Sequence, residues 1–336
     1  MLCNFGKTLF FLITLSACSD QQNLQTYQLS GETMGTSYNI TVVGEAYIEP
    51  TIITAALEDI ENTMSTYRPD SELMRLNTAP LNTWINISPA LYEVLEISQS
   101  VSFLTEGSFD ITIAPLVNLW GFGPDENNVG SLPNENDIQA LMENIGFQHL
   151  ILAEDRIAIL KTKMLNLDLS AVAKGYAVDV IAALLSTNNI SNYLVEIGGE
   201  INSKGRNAQG EFWRIAIETP ERSAITRNTI RTIQINDQSV ASSGDYRNYY
   251  ELDGVYYSHT IDPRSGRPVN HTLASVTVIA ETAAIADALA TAFNVMGTEQ
   301  AIIIADNNNI PAYFLENTAD GFIERYSAAF ARYIDQ

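Results

Sequence analysis

The sequence predicts an α+β fold: one large domain with a mixed, largely antiparallel sheet and packed helices. Three observations carry that reading. Apolar residues recur at helical spacing in some segments and alternate in others, the two kinds follow one another in no regular β-α-β order, and Gly/Pro/Asn turns separate them clearly. Of the 336 residues, positions 28–336 form the predicted domain, with no repeat and no further apolar run long enough to cross a membrane.

The first residues stand apart. Lys7 precedes a short apolar run, Leu9 to Leu15, which ends in Ser16-Ala17 before Cys18. The run is too short to span a bilayer. Leu15-Ser16-Ala17-Cys18 resembles a lipobox, so residues 1–17 read as a lipoprotein signal peptide and Cys18 as the acylated (palmitate-bearing) new N-terminus. An ordinary signal peptide with an incidental Cys18 is the alternative. Residues 18–27 read as a lipidated cysteine and polar tether. The protein is expected to be membrane-anchored and facing the periplasm, on the inner or the outer membrane, and Ser19, rather than Asp, after the cysteine favours the outer one. Cys3 leaves with the leader, so no internal disulfide is available and a packed core must supply stability.

Along the domain, Tyr38 to Val43 alternates as a strand, Pro50 to Tyr67 and Pro89 to Phe103 have helical spacing, and Gly121 to Pro133 is a loop. A short helix from Asp137 to Asn144 precedes three strand-like runs at 150–152, 157–159 and 165–167. Ser170 to Leu185 is a strong helix. Strands follow at 193–195, 213–217, 230–235, 239–242, 255–261 and 275–279, then helices at 282–295 and 299–304, two closing strands and a short terminal helix.

Lys and Arg number 18 against 40 Asp and Glu, a formal net charge of −22. Bulk charge therefore excludes nucleic acid as a partner, and any phosphate ligand needs a local cation. Asp168-Leu169-Ser170-Ala171-Val172-Ala173-Lys174-Gly175 offers one. A carboxylate at a strand end, a Ser at the helix N-cap and a Lys one turn in would gather donors, a cation and a helix N-terminus at one point. A capped structural helix with a solvated lysine has the same pattern. Asp287 and Thr291 lie four apart on an Ala-rich helix, so both oxygens share a face that suits a hard cation such as Mg²⁺, or one buried hydrogen bond between them.

His259, at the end of a predicted strand and before Asp262-Pro263-Arg264-Ser265-Gly266, has the side chain best poised to take a proton near neutral pH. A histidine satisfied by Asp262 or by backbone is the competing reading. His149 and His271 lie in less informative loops and are read as structural. Four smaller features complete the set. Thr33-Met34-Gly35-Thr36 puts a flexible apolar side chain beside a glycine turn. Tyr67-Arg68-Pro69 offers an aromatic face and a cation at a helix end. Gly107-Ser108-Phe109-Asp110 offers backbone donors, and Gly198-Gly199-Glu200 joins two strands where backbone could approach a ligand closely.

Taken in order, these segments resemble the ApbE family of flavin transferases. The shared motifs are Met-Gly-Thr, Tyr-Arg-Pro-x-Ser, Phe-Asp-Ile-Thr, Asp-Leu-Ser-x-x-Ala-Lys-Gly, Gly-Gly-Glu, His-x-Ile-Asp-Pro-x-x-Gly and Ala-Asp-x-x-Ala-Thr, running from about Gly31 to beyond Gly297. The resemblance implies an ApbE-like, T-fold-like domain with FAD as substrate against Met34, Tyr67, Ser108, Phe109, Asp110, Asp168, Lys174 and Ile261. It implies Mg²⁺ held by the Ala171 carbonyl, Asp287 and Thr291, and His259 as base. Ser108 stands where alanine is common in the family, a change a small side chain should tolerate. The implied reaction is transfer of FMN from FAD to a threonine of an acceptor protein, with release of AMP. The implied acceptors are subunits of ion-pumping redox complexes of the Nqr/Rnf type that present the threonine outside the cytoplasm. Two alternatives stay open: an FAD pyrophosphatase with water as nucleophile, and a non-catalytic FAD-binding lipoprotein that would need neither His259 nor the Asp287/Thr291 pair.

Overall fold

The computed structural model describes residues 25–124, 132–220, 228–244 and 249–334. The signal peptide, Cys18, Ser19 and most of the predicted tether lie outside these residues. Strands β1 (Thr26–Thr33) and β2 (Thr36–Val43) form a hairpin whose two turn residues, Met34 and Gly35, have φ of 49° and 69°. Paired positive φ is the turn that matches strand twist. β1 takes in Thr26 and Tyr27, which the sequence reading gave to the tether, because the Tyr27 ring lies 5.3 Å from that of Tyr47 and its hydroxyl donates to the Ala46 carbonyl.

Helix α1 (Pro50–Met64) begins with proline, tolerated where no N–H is needed, and buries Ile53, Leu57, Ile60 and Met64 at one-turn spacing. It ends short of Tyr67, at an extended Ser65. The short α2 (Glu72–Asn77) is capped by Ser71, and α3 (Pro89–Leu104) by Ser88. Two short helices, α4 (Ala114–Leu119) and α5 (Glu135–Met142), pack together. A small sheet contains β3 (Ile85–Asn86), β4 (Leu150–Leu152) and β5 (Ala158–Lys161). The strand predicted at 165–167 does not form; only Asn166 bridges, to Ile113. The Asn77 amide takes both backbone groups of Leu167, at 2.7 and 3.0 Å, and so replaces the ladder.

Then follow α6 (Ala173–Thr187), β6 (Tyr193–Ile197), β7 (Glu200–Lys204), β8 (Trp213–Glu218), β9 (Thr229–Ile235) and β10 (Gln238–Gly244). The hairpin β11 (Tyr249–Leu252) and β12 (Val255–Ser258) and the short pair β13 (Ile261–Asp262) and β14 (Arg267–Pro268) lead to β15 (Leu273–Ala280). The chain closes with α7 (Ala283–Met296), α8 (Thr298–Asn307), β16 (Ala312–Thr318), β17 (Gly321–Tyr326) and a 3₁₀ turn, Ala328–Tyr333. The single strand predicted over 255–261 is broken at His259-Thr260, where the Ser258 hydroxyl accepts the Thr260 N–H at 3.0 Å and bends the chain.

The main sheet is antiparallel in the order β1-β2-β6-β7-β10-β15-β16-β17, and the fold class is α+β as the sequence predicts. Alternation explains its two buried faces. Ile40, Val42, Val195, Val276, Val278 and Phe314 face the helices, while Val43, Val240, Ile279, Tyr313 and Leu315 face the β8–β9 hairpin and the terminal turn. Helix α7, buried along nearly its whole length, packs on β10 and β15 beside α6, which covers β6 and β7.

The start of α7 meets the start of α6 backbone to backbone. A Cβ built on Gly175 would sit 2.3 Å from the Ala283 carbonyl oxygen. Reciprocal carboxylates tie the two ends: Asp179 of α6 accepts the N–H groups of Ala283 and Ala284 at 2.8 Å each, and Asp287 of α7 accepts that of Gly175 at 3.1 Å. Gly175→Ala is therefore expected to force the helices apart and cost about 3 kcal/mol. Urea unfolding checks this; a variant as stable as the parent would contradict the contact.

Candidate active site

The β1–β2 turn, the end of α1, the 108–111 loop, the 168–174 turn, the Gly198–Gly199 hairpin, His259–Ile261 and α7 converge on one cavity of about 870 Å³. That is room for a large organic ligand. The lining includes each site residue that the family resemblance implied within the domain: Met34, Tyr67, Ser108, Phe109, Asp110, Asp168, Ala171, Lys174, His259, Ile261, Asp287 and Thr291.

At one end, the Met34 turn is locked by α1. Glu61 accepts the Met34 N–H at 3.0 Å and the Thr33 hydroxyl at 3.1 Å, and Arg68 holds both Glu61 and Glu58. Burial alone would raise the Glu61 pKa, but these donors override it and hold the carboxyl below its ordinary value. Arg68 is thus committed to carboxylates of its own chain rather than offered as a cation to a ligand. The clamp holds Met34 at a positive φ that a non-glycine residue resists. Tyr67 stands 71% exposed among the lining residues, a free aromatic surface.

The 108–111 loop is braced from below. One Asp110 oxygen accepts the N–H and hydroxyl of Thr112 at 2.8 and 2.7 Å, and the other accepts the Phe147 N–H at 2.8 Å. Its carboxylate is engaged within the protein, and burial raises its pKa above the usual value. The neighbouring Ser108 hydroxyl is buried with no partner among the described residues, an arrangement that costs about 1–3 kcal/mol unless a ligand supplies one.

The 168–174 turn differs from the sequence reading. Ser170 is not the helix N-cap: α6 begins at Ala173, after a Val172 with φ of −149° and no side-chain cap. Asp168 instead accepts the Ser170 N–H at 2.8 Å, and that turn carries Ala171 and Lys174 to the cavity. Lys174 Nζ donates to the Ser170 carbonyl at 3.2 Å and lies 3.5 Å from Glu200 and 3.6 Å from Asp287. Burial opposes its charge, but the two carboxylates prevail and raise its pKa.

Glu200 was visible in the sequence only as the end of a glycine turn. It is 3% exposed, and its Oε2 has no hydrogen-bond partner among the described residues. Burial first, and then repulsion from Asp287, push its pKa up to about 7 against the pull of Lys174. A carboxyl raised this way favours the folded state while protonated, and that contribution is lost as pH rises from 4.5 through about 7. In chelator, the stability gap between wild type and Glu200→Gln is therefore expected to shift by about 2 kcal/mol in favour of the variant between pH 5.5 and 8. A gap constant with pH would contradict a raised carboxyl.

His259 sits in the bend between β12 and β13, half-buried, with its ring 6.3 Å from that of Phe122. Phe122 begins a stack that continues through Tyr250 and Tyr257 to Trp120, with neighbouring centroids 5.3–5.9 Å apart. Trp120 is anchored by its indole N–H on the Gly266 carbonyl. No sequence motif announced this stack, since its members come from two separated segments.

The family model described as the ApbE family matches residues 34–314. The FAD:protein FMN transferase of Vibrio cholerae is 41% identical over 338 residues, covering 99% of both chains. That of Haemophilus influenzae is 39% identical over 330 residues, 95% of this chain and 94% of its own. Among solved structures, the flavin transferase ApbE from Vibrio cholerae superposes with a TM-score of 0.85 at 40% identity, over 92% of this chain and 99% of that one. The apo flavinyl transferase ApbE of Pseudomonas stutzeri gives 0.84 at 36% identity, over 93% and 98%. The chain belongs to the ApbE family.

Proposed function

We propose that this chain is a Mg²⁺-dependent FAD:protein FMN transferase. A threonine hydroxyl of an acceptor protein attacks the FAD phosphorus that bears riboflavin, and AMP leaves. One observation carries the reading: a single cavity joins Met34, Tyr67 and Ile261 to a buried end where Lys174, Asp287 and Glu200 meet, and His259 lines the same space. The shared name of relatives matched over nearly the full chain supports flavin transfer as the reaction class.

The residues suit the roles that family membership gives them. Met34, Tyr67, the 108–110 loop and Ile261 offer apolar and aromatic surface for the flavin ring, and the Asp168–Lys174 turn brings an ammonium to the pyrophosphate. His259 takes the threonine proton as the new O–P bond forms and the P–O bond to AMP breaks. The aromatic stack behind it limits where its ring can lie and keeps water, the competing nucleophile, from that side.

Asp287, the Thr291 hydroxyl and the Ala171 carbonyl would hold Mg²⁺. The donor set fits: it is all oxygen, and two buried carboxylates share one ammonium, so this end carries surplus negative charge. Among the described residues no three His, Cys, Asp or Glu cluster as a metal cage. Mg²⁺ commonly takes one or two carboxylates and completes its shell with water and substrate phosphate. When bound, the ion neutralises pyrophosphate charge.

The leader motif supports anchorage through Cys18 at the periplasmic face, where acceptors would be subunits of Nqr/Rnf-type redox pumps. The test is to incubate the soluble domain with FAD, Mg²⁺ and a threonine-bearing acceptor and to weigh the products by mass spectrometry. Acceptor gaining FMN is the expected result. Free FMN and AMP alone would replace transfer with hydrolysis, and intact FAD would leave only a binding protein.

A further inference from the structure

Lys174 occupies an unusual position between two carboxylates. Its Nζ lies almost equally far from Glu200 and Asp287, 3.5 and 3.6 Å, and neither is at the 2.7–2.9 Å of a close charge-assisted bond. Its nearest partner is a neutral carbonyl, that of Ser170. The ammonium is therefore shared, and a small movement commits it to either acid.

The surroundings favour one direction. Asp287 already has an oxygen accepting the Gly175 N–H, which holds that carboxylate in place. Glu200 keeps a buried oxygen without a partner. Gly198 supplies the room beside them: a Cβ there would lie 3.3 Å from Lys174 Cδ and 3.4 Å from Glu200 Oε2, at a φ of 64° that already favours glycine.

We propose that Lys174 stands in for the divalent cation at Asp287 in the metal-free site, and that Glu200 is the positioning residue that takes the ammonium when the ion arrives. The inference rests on the assignment of Asp287 as a metal ligand. Without Glu200 the lysine has Asp287 as its only acid, and an incoming cation must displace a firmer ion pair.

Titration of Mg²⁺ alone by calorimetry tests this without any turnover. Glu200→Gln, nearly isosteric, is expected to bind Mg²⁺ roughly tenfold more weakly than wild type, a coupling ordinary for one charge network. Lys174→Met is expected to bind it more tightly than wild type, having lost the competitor. Adding Glu200→Gln to Lys174→Met should then change affinity by less than about threefold. An equal loss in both backgrounds would overturn the proposal, since Glu200 would act directly on the ion, and so would unchanged affinity in Glu200→Gln. If that single variant does not fold, Lys174→Met still decides, because weaker or equal binding there excludes a competing lysine. Failure of wild type to bind Mg²⁺, or full binding by Asp287→Asn, would instead remove the metal assignment itself.

Discussion

Asp287→Ala is expected to lower flavin-transfer turnover by about 10³-fold and to abolish its response to Mg²⁺, the scale of losing a preorganised charge at the reacting group. The position is demanding in two ways. Its carboxylate faces the cavity with Thr291, and it also accepts the Gly175 N–H that fastens α6 to α7. Alanine leaves that buried donor unpaired, which costs about 1–3 kcal/mol of stability in addition to the chemistry. Asp287→Asn separates the effects, because the amide oxygen still accepts from Gly175 while the charge is gone. Turnover against Mg²⁺ concentration, with urea unfolding alongside, should show both variants inactive and only the alanine form clearly destabilised. Wild-type turnover at low Mg²⁺ in either variant would remove Asp287 as a ligand.

His259→Ala is expected to slow transfer by about 10²–10⁴-fold, the usual contribution of a positioned general base, while FAD binding is retained. The ring occupies a bend held by Ser258 and Thr260 rather than a strand, and lies 6.3 Å from the ring of Phe122. Its loss removes a proton acceptor from the cavity wall without touching the Met34 or Lys174 ends. Flavin fluorescence reads binding and product mass spectrometry reads transfer. Full activity would end its role as base; loss of binding and activity together would make it a contact instead.

What could be read beforehand followed from local chemistry. Met34-Gly35 announces a turn, Pro50 and Pro89 announce helix starts, and the Asp287/Thr291 spacing places two oxygens on one face of α7. Met34, Asp287 and Thr291 meet in the cavity with Lys174 and His259, and the alternating strands form the sheet. The errors came where a side chain took a backbone partner, in one case from far along the chain and in others from two residues away. Asn77 took the hydrogen bonds that a strand at 165–167 would have used. The 168–174 turn, organised by Asp168, delayed the start of α6, so Ser170 capped nothing.

Chain folding also hid parts of the site. Arg68 reads as a cation for a ligand until α1 brings Glu58 and Glu61 against it. Glu200 reads as the tail of a glycine turn until α6 and α7 place Lys174 and Asp287 beside it. The first pairing lies only 7 and 10 residues apart but depends on where the chain turns after α1, and the second joins segments remote in sequence, for which spacing along the chain holds no signal.

The reaction's direction, to a hydroxyl rather than to water, is tested most directly in H₂¹⁸O. The soluble domain, FAD, Mg²⁺ and a threonine-bearing acceptor are combined, and acceptor and nucleotide products are weighed. The account predicts one FMN on the acceptor threonine for each AMP released, with no ¹⁸O in either. Label in free FMN or AMP, with the acceptor mass unchanged, would contradict it.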